Sequence, residues 1–120
     1  MSLVDATDAG SVQGVAVDGQ LEWRGIPYAA PTVEDLRWPQ PAPACEGIRD
    51  GSNSDSHCRQ LGFPNDVVGS EDCLYLNVFA SPGTTADSSL AVMVHLHVGS
   101  NTYGWGYENA RALVERDVIF

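Results

Sequence analysis

The sequence predicts an α/β fold, and three adjacent observations predict it. LAVMVHLHV at 90–98 is nearly continuous in apolar residues, as a strand covered on both faces would be. A glycine-rich loop follows it, GSNTYGWG at 99–106. YENARALVERDVIF then reads as a helix over roughly 107–116 and the opening of another strand at 117–120. Strand, loop, helix and strand in that order make a parallel α/β unit.

The elements before that unit are of another kind. GSVQGVAVDGQLEWRGIPY at 10–28 holds two alternating runs around Asp18-Gly19, a dipeptide that accepts the positive φ angles of a two-residue turn. Strands are expected near 11–17 and 20–25, forming an antiparallel hairpin. Residues 27–70 hold six of the seven prolines. They predict a long irregular surface segment, with Tyr28, Leu36, Trp38, Ile48 and Phe63 as its apolar anchors. DCLYLNVFAS at 72–81 is apolar at Leu74, Leu76, Val78 and Ala80, a strand pattern. Val118-Ile119-Phe120 is an apolar strand just begun, so the expected core is incomplete and the missing remainder of the same fold is an expected partner.

Composition bounds the function. With 120 residues the chain has room for one modest domain at most. Six basic residues stand against 16 acidic ones, a formal net charge of −10, which speaks against nucleic acid or an anionic membrane as partner. No apolar run approaches the ~20 residues that span a bilayer, and no charged-then-apolar leader opens the chain, so a soluble protein of unknown compartment is expected. The three cysteines, Cys45, Cys58 and Cys73, are too few for a disulfide scaffold and too far apart for a CxxC zinc site.

The glycine-rich loop admits competing chemistries. A dinucleotide fingerprint fails, because Gly104-Trp105-Gly106 has no third glycine and Asp117 sits at the start of its strand rather than at the carboxyl end. His95 and His97, two apart on one strand face, have a spacing that metals use. No third ligand is near in sequence, so core histidines are expected and no metal or cofactor is. Asp66, Glu71 and Asp72 read as a solvated acidic loop with one buried ion-pair member.

Five stretches carry a family resemblance in order: GIPYAAP at 25–31, LRWPQPAP at 36–43, CRQ at 58–60, SEDCLYLNVFAS at 70–81 and VMVHLHVGSNTYGWG at 92–106. Together they resemble the N-terminal portion of the type B carboxylesterases, the cholinesterase-like branch of the α/β-hydrolases, from about Gly10 to Phe120. The resemblance implies that residues 1–120 are the N-terminal fragment of one α/β-hydrolase domain. On this reading they hold the antiparallel hairpin, the long irregular loop, the first central-sheet strands and one crossover helix. The complete protein would act on uncharged small-molecule carboxylic esters through a serine acyl-enzyme.

Residue by residue, the resemblance implies a salt bridge between Arg37 and Glu71 and a disulfide between Cys58 and Cys73, with two reduced, half-buried thiols as the alternative. Cys45 falls where the family has Trp and is expected as a small buried filler. The family's His-Gly-Gly-Gly-aromatic motif corresponds to His97-Val98-Gly99-Ser100-Asn101. Gly99 and Ser100 would therefore donate backbone N–H groups to the developing oxyanion. Val98 stands where a glycine is usual, and a β-branched residue resists positive φ. Restoring glycine at 98 is thus expected to matter more than at 100.

The chain has no G-x-S-x-G elbow. Ser11 in GSVQG is one position too early, and none of His57, His95 or His97 follows a nucleophile. The catalytic triad is expected beyond Phe120. Two other readings stand beside the esterase: a non-catalytic, cholinesterase-like binding or adhesion module, and a truncated reading frame.

Overall fold

A computed structural model describes residues 3–34, 38–54 and 57–120. Its first layer is antiparallel. Strand β1 (Val4–Thr7) pairs with β2 (Gly10–Gln13). The chain breaks register at Gly14 and continues as β3 (Val15–Val17), which turns at Asp18-Gly19 into β4 (Gln20–Pro27). Asp18 and Gly19 have φ of 48° and 82°, both in the left-handed region that these two residue types tolerate best. The run expected as one strand over 11–17 is therefore two, and each half joins a different sheet.

Strand β5 (Ile48–Asp50) runs parallel to β2. The short strands β6 (Gln60–Leu61) and β7 (Val67–Val68) pair with each other. Strand β8 (Tyr75–Ala80) lies antiparallel to β4, with the register shifting between Trp23 and Ile26. After a single 3-10 turn at Ala86–Ser88, β9 (Ala91–Val92) pairs in parallel with β10 (Val118–Ile119), the last element before Phe120. Between them lies one helical turn, α1 (Arg111–Val114). Phe79 and Phe120 exchange both backbone hydrogen bonds, at 2.8 and 3.0 Å, which stitches the end of β10 to β8.

The core lies at that junction. Phe79, Ala110 and Val114 are buried together, with Phe120 packed against them. Glu22 is equally enclosed, at 1% exposure. Its carboxylate accepts from Arg24 Nε at 2.6 Å and from Gln20 Nε2 at 2.7 Å. Three polar residues at i, i+2 and i+4 on β4 thus share one face, with the Glu22 carboxylate bonded by both neighbours while the buried Gln20 Oε1 has no partner.

Several expectations need correction. The strand expected over 90–98 has ladder partners only at Ala91 and Val92, and Val94, Leu96 and Val98 are 80–85% exposed rather than covered. The helix expected over 107–116 is one turn, Arg111–Val114, with 107–110 in no regular secondary structure and Ala110 as its N-cap. The side chains of Tyr28, Trp38, Ile48 and Phe63 are exposed rather than buried as anchors, Phe63 completely. Leu36 lies outside the described residues. The irregular segment is held instead by backbone bonds, among them Ala30 N–H to Gln40 O at 2.9 Å and Gly51 N–H to Gln13 O at 2.7 Å. Cys45 is half-buried beside Gly10, not a core filler.

Candidate functional site

The glycine-rich loop closes on a single carbonyl. Gly99 O accepts from Thr102 N–H at 2.9 Å, Thr102 Oγ1 at 2.9 Å and Tyr103 N–H at 3.2 Å. A Cβ at position 99 would lie 1.7 Å from Tyr103 O, so only glycine fits, at φ 138°. At the other end of the loop a Cβ on Gly104 would meet Val98 O at 2.6 Å and His97 Nδ1 at 2.5 Å. The two glycines bring both stems of the loop into backbone contact.

Ser100 and Asn101 complete the turn at φ 55° and 58°. Among the described residues, the N–H groups of Gly99, Ser100 and Asn101 donate to no protein acceptor. Three consecutive unspent donors on a fixed turn can receive an anion or a developing oxyanion. Val98 is not among the residues of positive φ, which corrects the expectation placed on it. The left-handed conformations fall on Ser100 and Asn101, and asparagine carries that region better than most side chains.

Other elements position this loop. Gln60 donates from Nε2 to Gly104 O at 2.9 Å and accepts at Oε1 from Gly104 N–H at 2.6 Å. Asn77 on β8 donates to Gly106 O at 3.3 Å while its own Oδ1 accepts from Gly25 N–H at 3.1 Å. The Arg24 guanidinium lies 5.2 Å over the Tyr107 ring, and its Nη2 is 3.4 Å from the Tyr107 hydroxyl. Loop residues 104–107 are therefore tied to three separate parts of the fold.

Over residues 2–120 the chain matches the model of the carboxylesterase family. It belongs to that family. The chain is 40% identical to the fumonisin B1 esterase of Sphingopyxis macrogoltabida over 127 residues, covering 98% of this chain and 23% of that protein. Over 128 residues it is 35% identical to the para-nitrobenzyl esterase of Bacillus subtilis (strain 168), covering 94% of this chain and 25% of that protein. A solved PNB esterase structure superposes with a TM-score of 0.85 at 35% identity, over 99% of this chain and 26% of the other. The chain spans about a quarter of the length of these relatives.

Within this carboxylesterase segment Cys58 and Cys73 form a disulfide, 15 residues apart in sequence, and Cys45 is free. Arg37 lies outside the described residues, and so does any bond it makes. Glu71 is half-buried, and its backbone carbonyl accepts from Thr32 Oγ1 at 3.4 Å. Asp72 accepts from the Tyr75 hydroxyl at 2.8 Å, and Asp66 is exposed.

The histidines are not core residues. His95 has its Nε2 4.0 Å from Glu108 Oε1 and its ring 5.9 Å from that of Phe120. His97 Nδ1 sits 2.9 Å from its neighbour's carbonyl, Val98 O. Among the described residues no group of three or more His, Cys, Asp or Glu is placed to hold a metal, and no helix is long and apolar enough to cross a membrane. Ser11 lies within β2 and has no elbow geometry.

Sequence reasoning missed Gln60 and the Glu22–Arg24 pair. In the sequence, Gln20, Glu22 and Arg24 show nothing beyond their place in a strand, although Glu22 is buried and Arg24 donates to Ser52 O at 3.1 Å and reaches Tyr107.

Proposed function

We propose that residues 1–120 are the N-terminal part of a single α/β-hydrolase domain in a serine carboxylic-ester hydrolase, and that Gly99 and Ser100 supply two of its oxyanion-hole donors. The observation that carries this reading is the closed turn of Gly99 to Tyr103, with its leading N–H groups uncommitted. When a serine attacks an ester carbonyl, the carbonyl oxygen gains negative charge and moves out of plane. Donors fixed in advance at that position lower the barrier, and each is worth on the order of 3 kcal/mol. The ester is a small, uncharged carboxylic ester. The nucleophile, acid and histidine come from the rest of the protein, since this segment has no G-x-S-x-G elbow.

Arg37 and Glu71 serve this reading as a clamp on the long loop. A double-mutant cycle tests them: Arg37→Ala alone is expected to cost about 2–4 kcal/mol by stranding Glu71, and additivity with Glu71→Ala rules the pair out. The function is tested on the complete protein with a short-chain nitrophenyl ester. Turnover that an organophosphate abolishes is the expected result. The 120-residue chain alone is expected to give none above a denatured control, and serine-specific turnover by it would place the triad inside this segment. A second reading, a binding module that kept the fold and lost the chemistry, is favoured by one observation: serine rather than glycine occupies the left-handed position at 100.

A further inference from the structure

We infer that Gln60 is a positioning residue for the oxyanion donors, the link through which the disulfide-closed loop holds the Gly99–Ser100 turn. The inference rests on the role proposed above for that turn. Gln60 engages one residue 44 positions away with both ends of its carboxamide, Nε2 on Gly104 O and Oε1 on Gly104 N–H, while Nε2 also donates to Cys58 O at 3.2 Å within the disulfide-closed loop. Gly104 has φ 121°. A side chain that donates and accepts in a plane is therefore the partner that satisfies both of its backbone groups.

Movement at Gly104 cannot stay local. Its α-carbon abuts Val98 O and the His97 ring on one stem, and the preceding Tyr103 carbonyl is packed on the α-carbon of Gly99. Shifting Gly104 displaces Tyr103, and with it the turn that presents the N–H groups of 99 and 100.

The other end of the link is itself fixed. Gln60 begins β6, two residues after Cys58, inside the ring that Cys58–Cys73 closes. Arg59 N–H donates to Ser70 O at 3.1 Å and Ser70 N–H to His57 O at 2.9 Å, so the start of the ring is bound to its far side. The His57 ring also lies 5.7 Å from that of Trp105, a second contact between the same two loops. Gln60 is thus held by a covalently closed segment and holds the turn in its place.

The test uses the complete protein with Gln60→Ala and the near-isosteric Gln60→Glu, which keeps an acceptor for Gly104 N–H and loses the donor to Gly104 O. Two readouts are taken: amide hydrogen exchange at Thr102, Tyr103 and Gly104, the bonded N–H groups of the loop, and steady-state kinetics with active sites counted by organophosphate titration. Gln60→Ala is expected to speed exchange at Gly104 and across the turn by at least about tenfold. It is expected to lower kcat by on the order of 10²-fold with KM within about twofold, and to weaken a trifluoromethyl ketone in parallel with kcat. Gln60→Glu moves both readouts the same way by less, and it decides the matter if Gln60→Ala does not fold. Unchanged exchange at Thr102 and Tyr103, whose N–H groups close the turn on Gly99 O, or a loss confined to KM, overturns the inference. If the wild-type protein has no serine-dependent turnover, the esterase reading fails while the exchange data still decide whether Gln60 holds the turn.

Discussion

The β4–β8 sheet and the 93–106 segment are built on opposite terms. In the first, the chain's own residues enclose particular side chains: Phe79 is 1% exposed against Phe120 and Val114, and Glu22 is 1% exposed within its hydrogen bonds to Gln20 and Arg24. In the second, Val94, Leu96 and Val98 face water and, past Met93, the run has no ladder partner among the described residues until the glycine turn. Yet the candidate chemistry sits on the second. The turn at 99–103 is ordered by bonds within itself, and residues 104–107 that follow it are held by Gln60 of β6 and by Asn77 and Arg24, the last two from the closed part. A functional loop can thus be fixed by a few polar ties from a rigid neighbour without sharing that neighbour's core.

The sharpest way to break this contrast is at Gly99. Gly99→Ala places a methyl 1.7 Å from Tyr103 O. In the complete protein it is expected to cut kcat by about 10²–10³-fold, measured per titrated active site, while the β4–β8 sheet keeps its stability. A comparable loss of global stability would mean that the two regions are one cooperative unit.

Glu22→Ala probes the closed region. It removes the acceptor that Arg24 and Gln20 share in a dry site, and about 3 kcal/mol of unfolding free energy is expected to go, read by urea denaturation. Because Arg24 also lies over Tyr107, kcat is expected to fall modestly as well. Cys58→Ser costs slightly less by loop entropy, up to about 3 kcal/mol for a ring of this length.

The exchange of glycine at 98 and 100 sharpens the site itself. Ser100→Gly relieves a left-handed serine at φ 55°, so its effect on kcat is expected to exceed that of Val98→Gly, whose backbone needs no glycine. The reverse order, measured side by side in the complete protein, would place the strain at 98.

The smallest effect is expected at Asp50 on β5. Ser52 bonds its carboxylate with both the hydroxyl and the N–H, the latter at 2.9 Å, and holds its pKa below the ordinary value of 3.8. A lowered folded pKa means stability that is present above the unfolded pKa and is lost as pH falls through the folded one. Asp50→Asn should therefore lower Tm slightly at neutral pH and leave it unchanged below the folded pKa, which flattens the acid limb of a Tm–pH profile.

What could be read in advance follows the same division. The family, its α/β-hydrolase fold class and the Cys58–Cys73 disulfide were legible through an ordered set of motifs, which needs no knowledge of what packs on what. Burial was not. LAVMVHLHV has the pattern of a doubly covered strand, but pattern reports what a segment can bury and not whether a cover is at hand. Gln20, Glu22 and Arg24 show the opposite case, since alternating polar residues give no local sign that a carboxylate bonded by two of its neighbours is buried. Gln60 left no local trace either. Its importance lies in a pairing across 44 residues, and a single glutamine in CRQ has nothing to distinguish it from a solvated one.

The bare stretch from Val94 to His97 has a further consequence for handling the molecule. A flat, β-prone segment whose backbone groups are unpaired is a template on which a second chain can add a strand. Mutual repulsion opposes that step, because every copy carries a formal net charge of −10 at pH 7. Acidification removes the protection: near the isoelectric point of about 4.3 the charges cancel while the apolar strip remains. Self-association of this 120-residue chain should therefore be steepest in mildly acidic buffer.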